Sequence, residues 1–149
     1  MLRLDLTYPQ AAVEQQILLR YGADLGGATQ VPADLVVIDR DVVAAVRTQA
    51  EQIHVAVSLI GYVLELVRAS REHPRIELGL STRGALAMVR AARVLAGLRG
   101  ADFATADDIK QAARWAMPHR LRLSPQASIE GDTDTALVES ILSSTPVPR

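Results

Sequence analysis

A chain of 149 residues, 49% hydrophobic and with a mean hydropathy of +0.14, is long enough to fold around a core of its own, which excludes disorder throughout. Sixteen basic against seventeen acidic residues leave a net charge of −1, so no global attraction draws it to nucleic acid or to an anionic membrane. The lack of cysteine removes disulfides, zinc thiolate sites and thiol redox chemistry, and no run approaches the roughly 18 apolar residues of a membrane span. Aromatics make up only 3%, so the core is built from Leu, Val, Ile and Ala, the usual filling of packed helices. All basic residues but Lys110 are Arg, a bias we assign to genomic composition rather than to anion recognition.

Leu2, Leu4 and Leu6 alternate with Arg3 and Asp5, the period of a strand with one apolar face, and this opening lacks the continuous apolar stretch of a secretory leader. No second strand with hairpin spacing follows it. A lone strand leaves its backbone groups unsatisfied, so the chain reads as cut from something larger. From Pro9 to about Tyr21, Ala12, Val13, Ile17 and Leu18 keep helical spacing, with Gly22 at the end. Residues 23 to 38 form a connector. Asp39 then caps a helix whose face is Val42, Val43, Val46, Ala50 and Ile53, with Ile38 placed to staple onto Val43.

The third helix, about Val57 to Glu72, has Val57, Ile60, Val63, Leu64 and Val67 as its expected inward face and Glu65, Arg68 and Glu72 outward, until His73-Pro74 stops it. Ser81 caps a fourth helix, about Thr82 to Arg99, with Ala85, Met88, Val89, Ala92, Leu95 and Ala96 inward and Gly100 at its end. A fifth, capped at Thr105, carries Ile109, Ala112, Ala113 and Ala116 and ends at Pro118. His119 to Glu130 reads as irregular or extended. A last helix, about Thr133 to Ser143, offers Leu137, Val138, Ile141 and Leu142. The fold expected is all-α: a bundle of about six helices with one short N-terminal strand.

Few chemical motifs survive inspection. A phosphate-binding P-loop needs Gly-Lys before Ser or Thr, and the one lysine follows Ile109. Leu35-Val36-Val37-Ile38-Asp39 imitates a Walker B strand, but Arg40 stands where a second acid belongs and Asp39 is placed to cap a helix. His54, His73 and His119 are too scattered for a metal triad, and Gly79-Leu80-Ser81-Thr82-Arg83 lacks the second glycine of a nucleophile elbow. His119 draws some interest from its neighbours Arg120 and Arg122.

Arg83 is different. It puts a fixed positive charge into the first turn of a predicted helix, where unpaired N–H groups and the helix dipole favour anions. Either a bound anion such as a phosphate or an ordinary surface ion pair accounts for it. Arg90 and Arg93 follow within one quadrant of the same helix, a basic stripe that acids from a neighbouring helix would equally well satisfy.

The run Leu64-Glu65-Leu66-Val67-Arg68-Ala69-Ser70-Arg71-Glu72-His73-Pro74, followed by Gly79-Leu80-Ser81-Thr82-Arg83-Gly84-Ala85-Leu86, resembles the C-terminal lid region of MoxR-type AAA+ ATPases. The resemblance extends to the capped helix after Thr105, to His119-Arg120-Leu121 and to the Pro146-Val147-Pro148-Arg149 ending. It implies that residues 1–8 are the last strand of an ATPase core and 9–149 a helical lid. Arg83 then falls on the sensor 2 arginine, which approaches the ATP γ-phosphate, with Ser81, Thr82 and Gly84 around it; Thr82 stands where the family often has proline.

The same resemblance implies ATP and Mg²⁺ as cofactors of a full-length parent. It implies association with an AAA+ core in a ring, often hexameric, a cytoplasmic chaperone-like role, and partners that include von Willebrand factor A domains. The Walker A and B segments would precede this chain, so no catalytic residue is expected within it, nor a nucleic-acid or membrane partner. Two other readings stay open. One is a free-standing helical interaction module without nucleotide function; the other, helix-turn-helix DNA binding, is weakened by the missing positive face.

Overall fold

The computed structural model describes residues 2–22 and 35–148. Over them run seven α-helices and one short antiparallel sheet: α1 (Ala11–Tyr21), α2 (Arg40–Gln52), α3 (Val57–Glu72), β1 (Ile76–Leu78), α4 (Thr82–Leu98), α5 (Ala106–Ala116), β2 (Arg122–Leu123), α6 (Pro125–Ile129) and α7 (Asp134–Ser144). A 3-10 turn, Pro118–Arg120, follows α5. Among the described residues no helix is long and apolar enough to cross a membrane.

The helix starts follow local capping chemistry. Asp39 accepts the Asp41 amide at 3.0 Å, so the Walker B look-alike is a cap, and residues 35–38 form no strand. At α5 the Thr105 hydroxyl accepts the Asp108 amide at 3.4 Å while the Asp108 carboxylate accepts the Thr105 amide at 2.8 Å, a reciprocal capping box. Helix α6 departs from the irregular stretch expected over 119–130. Ser124 accepts the Ala127 amide at 3.3 Å and Pro125 occupies the first helical position, a start signal inside a segment too short to show periodicity. The connector expected over 23–38 lies outside the described residues as far as residue 34.

The core is the space between α3, α4, α5 and α7, filled by Leu66, Leu80, Met88, Ile109, Met117 and Ile141. Helices α4 and α5 form the most extensive pair, because Ala85, Ala92 and Ala96 on one and Ala112, Ala113 and Ala116 on the other let the backbones approach closely.

Helix α3 is rotated from the expected orientation. Val63 and Val67 are buried as expected, but Leu59, Tyr62, Leu66 and Ser70 complete the buried row, while Val57 is 87% and Leu64 53% exposed. The helix is apolar on two sides, and both rows satisfy the 3.6-residue period. Contacts with α4, α7 and β1 decide which one turns inward.

The N-terminal elements contribute little to this core. Neither α1 nor α2 buries a residue, and the apolar positions Val13, Ile17, Leu18, Val42, Val43 and Val46 stay exposed, as do Ile38 and Val43 of the expected staple. Only Ile53, just past α2, is buried as expected. Residues 2–8 pair with no strand among the described residues. The Arg3 amide donates to the Trp115 carbonyl at 3.0 Å, and Leu4 and Leu6 face outward. The sheet that does form, β1 on β2 with Ile76 opposite Leu123, went unseen in the sequence because three- and two-residue strands carry no alternation.

Candidate functional site

The start of α4 is built by the turn that leaves α3. Pro74 stops α3, the Ile76 amide returns to the His73 carbonyl at 3.0 Å, and the chain runs through β1 back over the end of α3. Gly79 passes so close that a Cβ there would lie 2.7 Å from the Arg71 backbone, a contact only glycine permits. Leu80 is wholly buried; its amide donates to the Ser70 hydroxyl at 2.9 Å and its carbonyl accepts the Arg71 Nε at 3.0 Å. Ser81 then caps α4, its hydroxyl accepting the Gly84 amide at 3.3 Å.

The four residues singled out in the sequence thus take different places. The Ser81 hydroxyl serves the cap. Thr82 and Arg83 are exposed in the first turn, and Arg83 makes no ion pair or hydrogen bond among the described residues. Gly84 is buried; a Cβ there would press on Leu80 at 2.5 Å and stand 3.4 Å from Arg120 Cδ. The stem of Arg120 therefore lies along the same helix start, with its Nη1 donating to the Ala116 carbonyl at 2.5 Å. Sequence reasoning gave Arg120 no role of its own; its signals were its place beside His119 and the resemblance that covers His119-Arg120-Leu121. Partial burial and the nearby charges of Arg120 and Arg3 hold the His119 imidazole below its ordinary pKa.

The rest of the basic stripe does not pair with acids as expected. Arg93 reaches across to α2 and donates to the Glu51 carbonyl at 2.8 Å, satisfying a helix C-terminus. Arg90 is exposed and makes no ion pair or hydrogen bond among the described residues, between a hollow of about 440 Å³ toward α2 and another of about 430 Å³ toward Leu2 and Trp115.

A free guanidinium in the first turn of a helix suits a phosphate group, through charge and through the unpaired amides around it. A divalent cation finds no comparable set: among the described residues no three His, Asp or Glu converge. Arg83 is thus placed to meet an anion.

A mostly helical bundle with one short two-stranded sheet is the architecture of a lid domain of the AAA class. The family model of the AAA lid domain matches residues 68–141, and over these residues the chain belongs to that family, the lid of an ATPase-like protein. The whole chain superposes on 47% of a crystal structure from Cytophaga hutchinsonii, provisionally assigned as an ATPase, with a TM-score of 0.80 and 26% identity. It is 40% identical over 91 residues to the uncharacterized protein YeaC of Bacillus subtilis, covering 61% of this chain and 28% of that one. Similarity to the chaperone MoxR1 of Mycobacterium tuberculosis is lower, 24% identity over 99% of this chain and 40% of the relative. A magnesium-chelatase subunit ChlI homolog of Methanocaldococcus jannaschii is 45% identical over 51 residues, 34% of this chain and 14% of that one. The chain spans less than half the length of each of these proteins.

Proposed function

We propose that this chain acts as the sensor 2 lid of a MoxR-type AAA+ ATPase, in which Arg83 meets the γ-phosphate of ATP and couples nucleotide state to lid position. The observation that carries the reading is an arginine left unpaired in the first turn of α4, within residues that match the AAA lid family. A solvated arginine that far into a helix start opposes the local dipole, and a phosphate removes the conflict.

The exposed apolar faces of α1 and α2, together with the run Leu35–Ile38, support a large apolar partner, which this reading identifies as the AAA+ core. Residues 2–8 then join that core's sheet, and ATP and Mg²⁺ are held mainly by its residues. A ring assembly with a cytoplasmic, chaperone-like role, engaging clients that include von Willebrand factor A domain proteins, belongs to the same proposal. One charged hydrogen bond to phosphate contributes about 1.5 to 3 kcal/mol, against about 8 kcal/mol for micromolar affinity. The chain alone therefore binds ATP poorly and hydrolyses none.

The test joins the chain to an AAA+ core with intact Walker A and B segments. Arg83→Ala is expected to slow ATP turnover at least about tenfold, or about 1.4 kcal/mol in barrier. Turnover unchanged by that substitution overturns the assignment and leaves a helical interaction module as the reading.

A further inference from the structure

We infer that Ser70, assisted by Arg71, is a positioning residue for Arg83: the two side chains hold the backbone N–H and C=O of Leu80 and so fix the start of α4 to the end of α3. The inference rests on the sensor reading of Arg83.

Ser70 is wholly buried in the last turns of α3, a place where alanine would favour the helix more. Its hydroxyl both donates and accepts. It donates to the Val67 carbonyl at 2.7 Å and accepts the Leu80 amide at 2.9 Å. The next residue, Arg71, donates its Nε to the carbonyl of the same Leu80 at 3.0 Å. Both backbone polar groups of one buried residue, Leu80, are thus taken by consecutive residues of α3, and no other hydrogen bond among the described residues links α3 to residues 79–84.

The fit depends on close approach. Gly79 lets the backbone pass within van der Waals contact of Arg71, and the Leu80 side chain packs directly against Gly84. Ser81 follows Leu80 directly and caps α4, so sliding or rotation at the helix start would break the clamp first. Among the described residues Arg83 has no side-chain partner to steady it, so its placement is set by this backbone. A rigid joint also carries a pull on Arg83 into α3, and through α3 into the bundle, instead of losing it in local rotation. Burial keeps water from replacing the lost partner, so removing the Ser70 hydroxyl leaves the Leu80 amide unsatisfied.

The decisive comparison is Ser70→Thr with Ser70→Val, which share a shape and differ by the hydroxyl. In the chain joined to an AAA+ core, the valine variant is expected to turn over ATP about tenfold more slowly than the threonine variant, with KM for ATP changed less than about twofold. In an Arg83→Ala background the two are expected to agree within about twofold. Equal rates in the Arg83 background, or a gap undiminished without Arg83, overturn the positioning role. An Arg83→Ala variant that itself keeps full turnover overturns the sensor reading instead.

Hydrogen exchange on the 149-residue chain gives an independent measure. Ser70→Val is expected to raise exchange at the Leu80 and Gly84 amides about tenfold over Ser70→Thr, with Ile109 to Ala113 still protected. A uniform loss of protection would make Ser70 an ordinary core residue and overturn the inference.

Discussion

The carboxylate of Asp108, buried in the first turn of α5, receives the guanidinium of Arg99 at 2.6 and 3.2 Å across the turn that joins α4 to α5. Burial alone would raise the Asp108 pKa, but bonds from Arg99 and from the Thr105 amide and hydroxyl outweigh it and hold the carboxyl below its ordinary value of 3.8. A folded pKa below the unfolded one stabilises the fold fully above about pH 4, and that contribution is lost as pH falls through the lower folded value. Asp108→Asn is therefore expected to cost about 1.5 to 3 kcal/mol at pH 7. Thermal melts should show the gap between wild type and variant closing below about pH 4; a gap independent of pH refutes the assignment.

Two glycines make opposite predictions. At Gly79 a methyl group would meet the Arg71 backbone at 2.7 Å, whereas at Gly61, on the exposed side of α3, it would meet nothing within 4 Å. Gly79→Ala is expected to destabilise by about 2 kcal/mol or more, since backbone must move to admit it. Gly61→Ala is expected to stabilise by about 0.5 to 1 kcal/mol, because alanine in a helix interior loses less conformational entropy. Urea unfolding of the two variants measures both, and equal effects would contradict the described path of residues 78–80.

What the sequence disclosed was local. The caps at Asp39, Ser81 and Thr105 and the span Val57–Glu72 need only neighbouring residues, and each is found where its chemistry put it. The orientation of α3 was not legible, because its two apolar rows are chosen between only by other elements. The site divides the same way. Arg83 announced itself through its place in a helix, while the Ser70–Leu80 bond and the stem of Arg120 against Gly84 join segments that meet only in the folded chain.

That orientation can be measured. Leu66→Ala opens a cavity at a residue with no exposure and is expected to cost about 2 to 5 kcal/mol, against less than about 1 kcal/mol for Leu64→Ala. The reverse ranking in denaturant melts of the chain would restore the row expected from the sequence. With an AAA+ core joined on, Leu64→Ala gains a larger effect only if that exposed side of α3 is covered.

Arg83 sets stability against function. It has no partner to lose among the described residues, and its charge opposes the positive end of the α4 dipole, so Arg83→Ala is expected to leave chain stability within about 0.5 kcal/mol of wild type. Arg83→Glu places an acid where the unpaired amides favour one and is expected to stabilise by about 0.3 to 1 kcal/mol at low salt, an effect that added salt shrinks. Both variants should nonetheless impair a chain joined to an AAA+ core, the glutamate more severely, because it repels the phosphate that the arginine would meet. A residue that lowers stability where it stands and is needed for turnover is one placed for a ligand. If Arg83→Glu instead destabilises the isolated chain by 1 kcal/mol or more, in round terms a fivefold shift in the folding equilibrium, then Arg83 has a structural partner and the electrostatic case for a sensor fails.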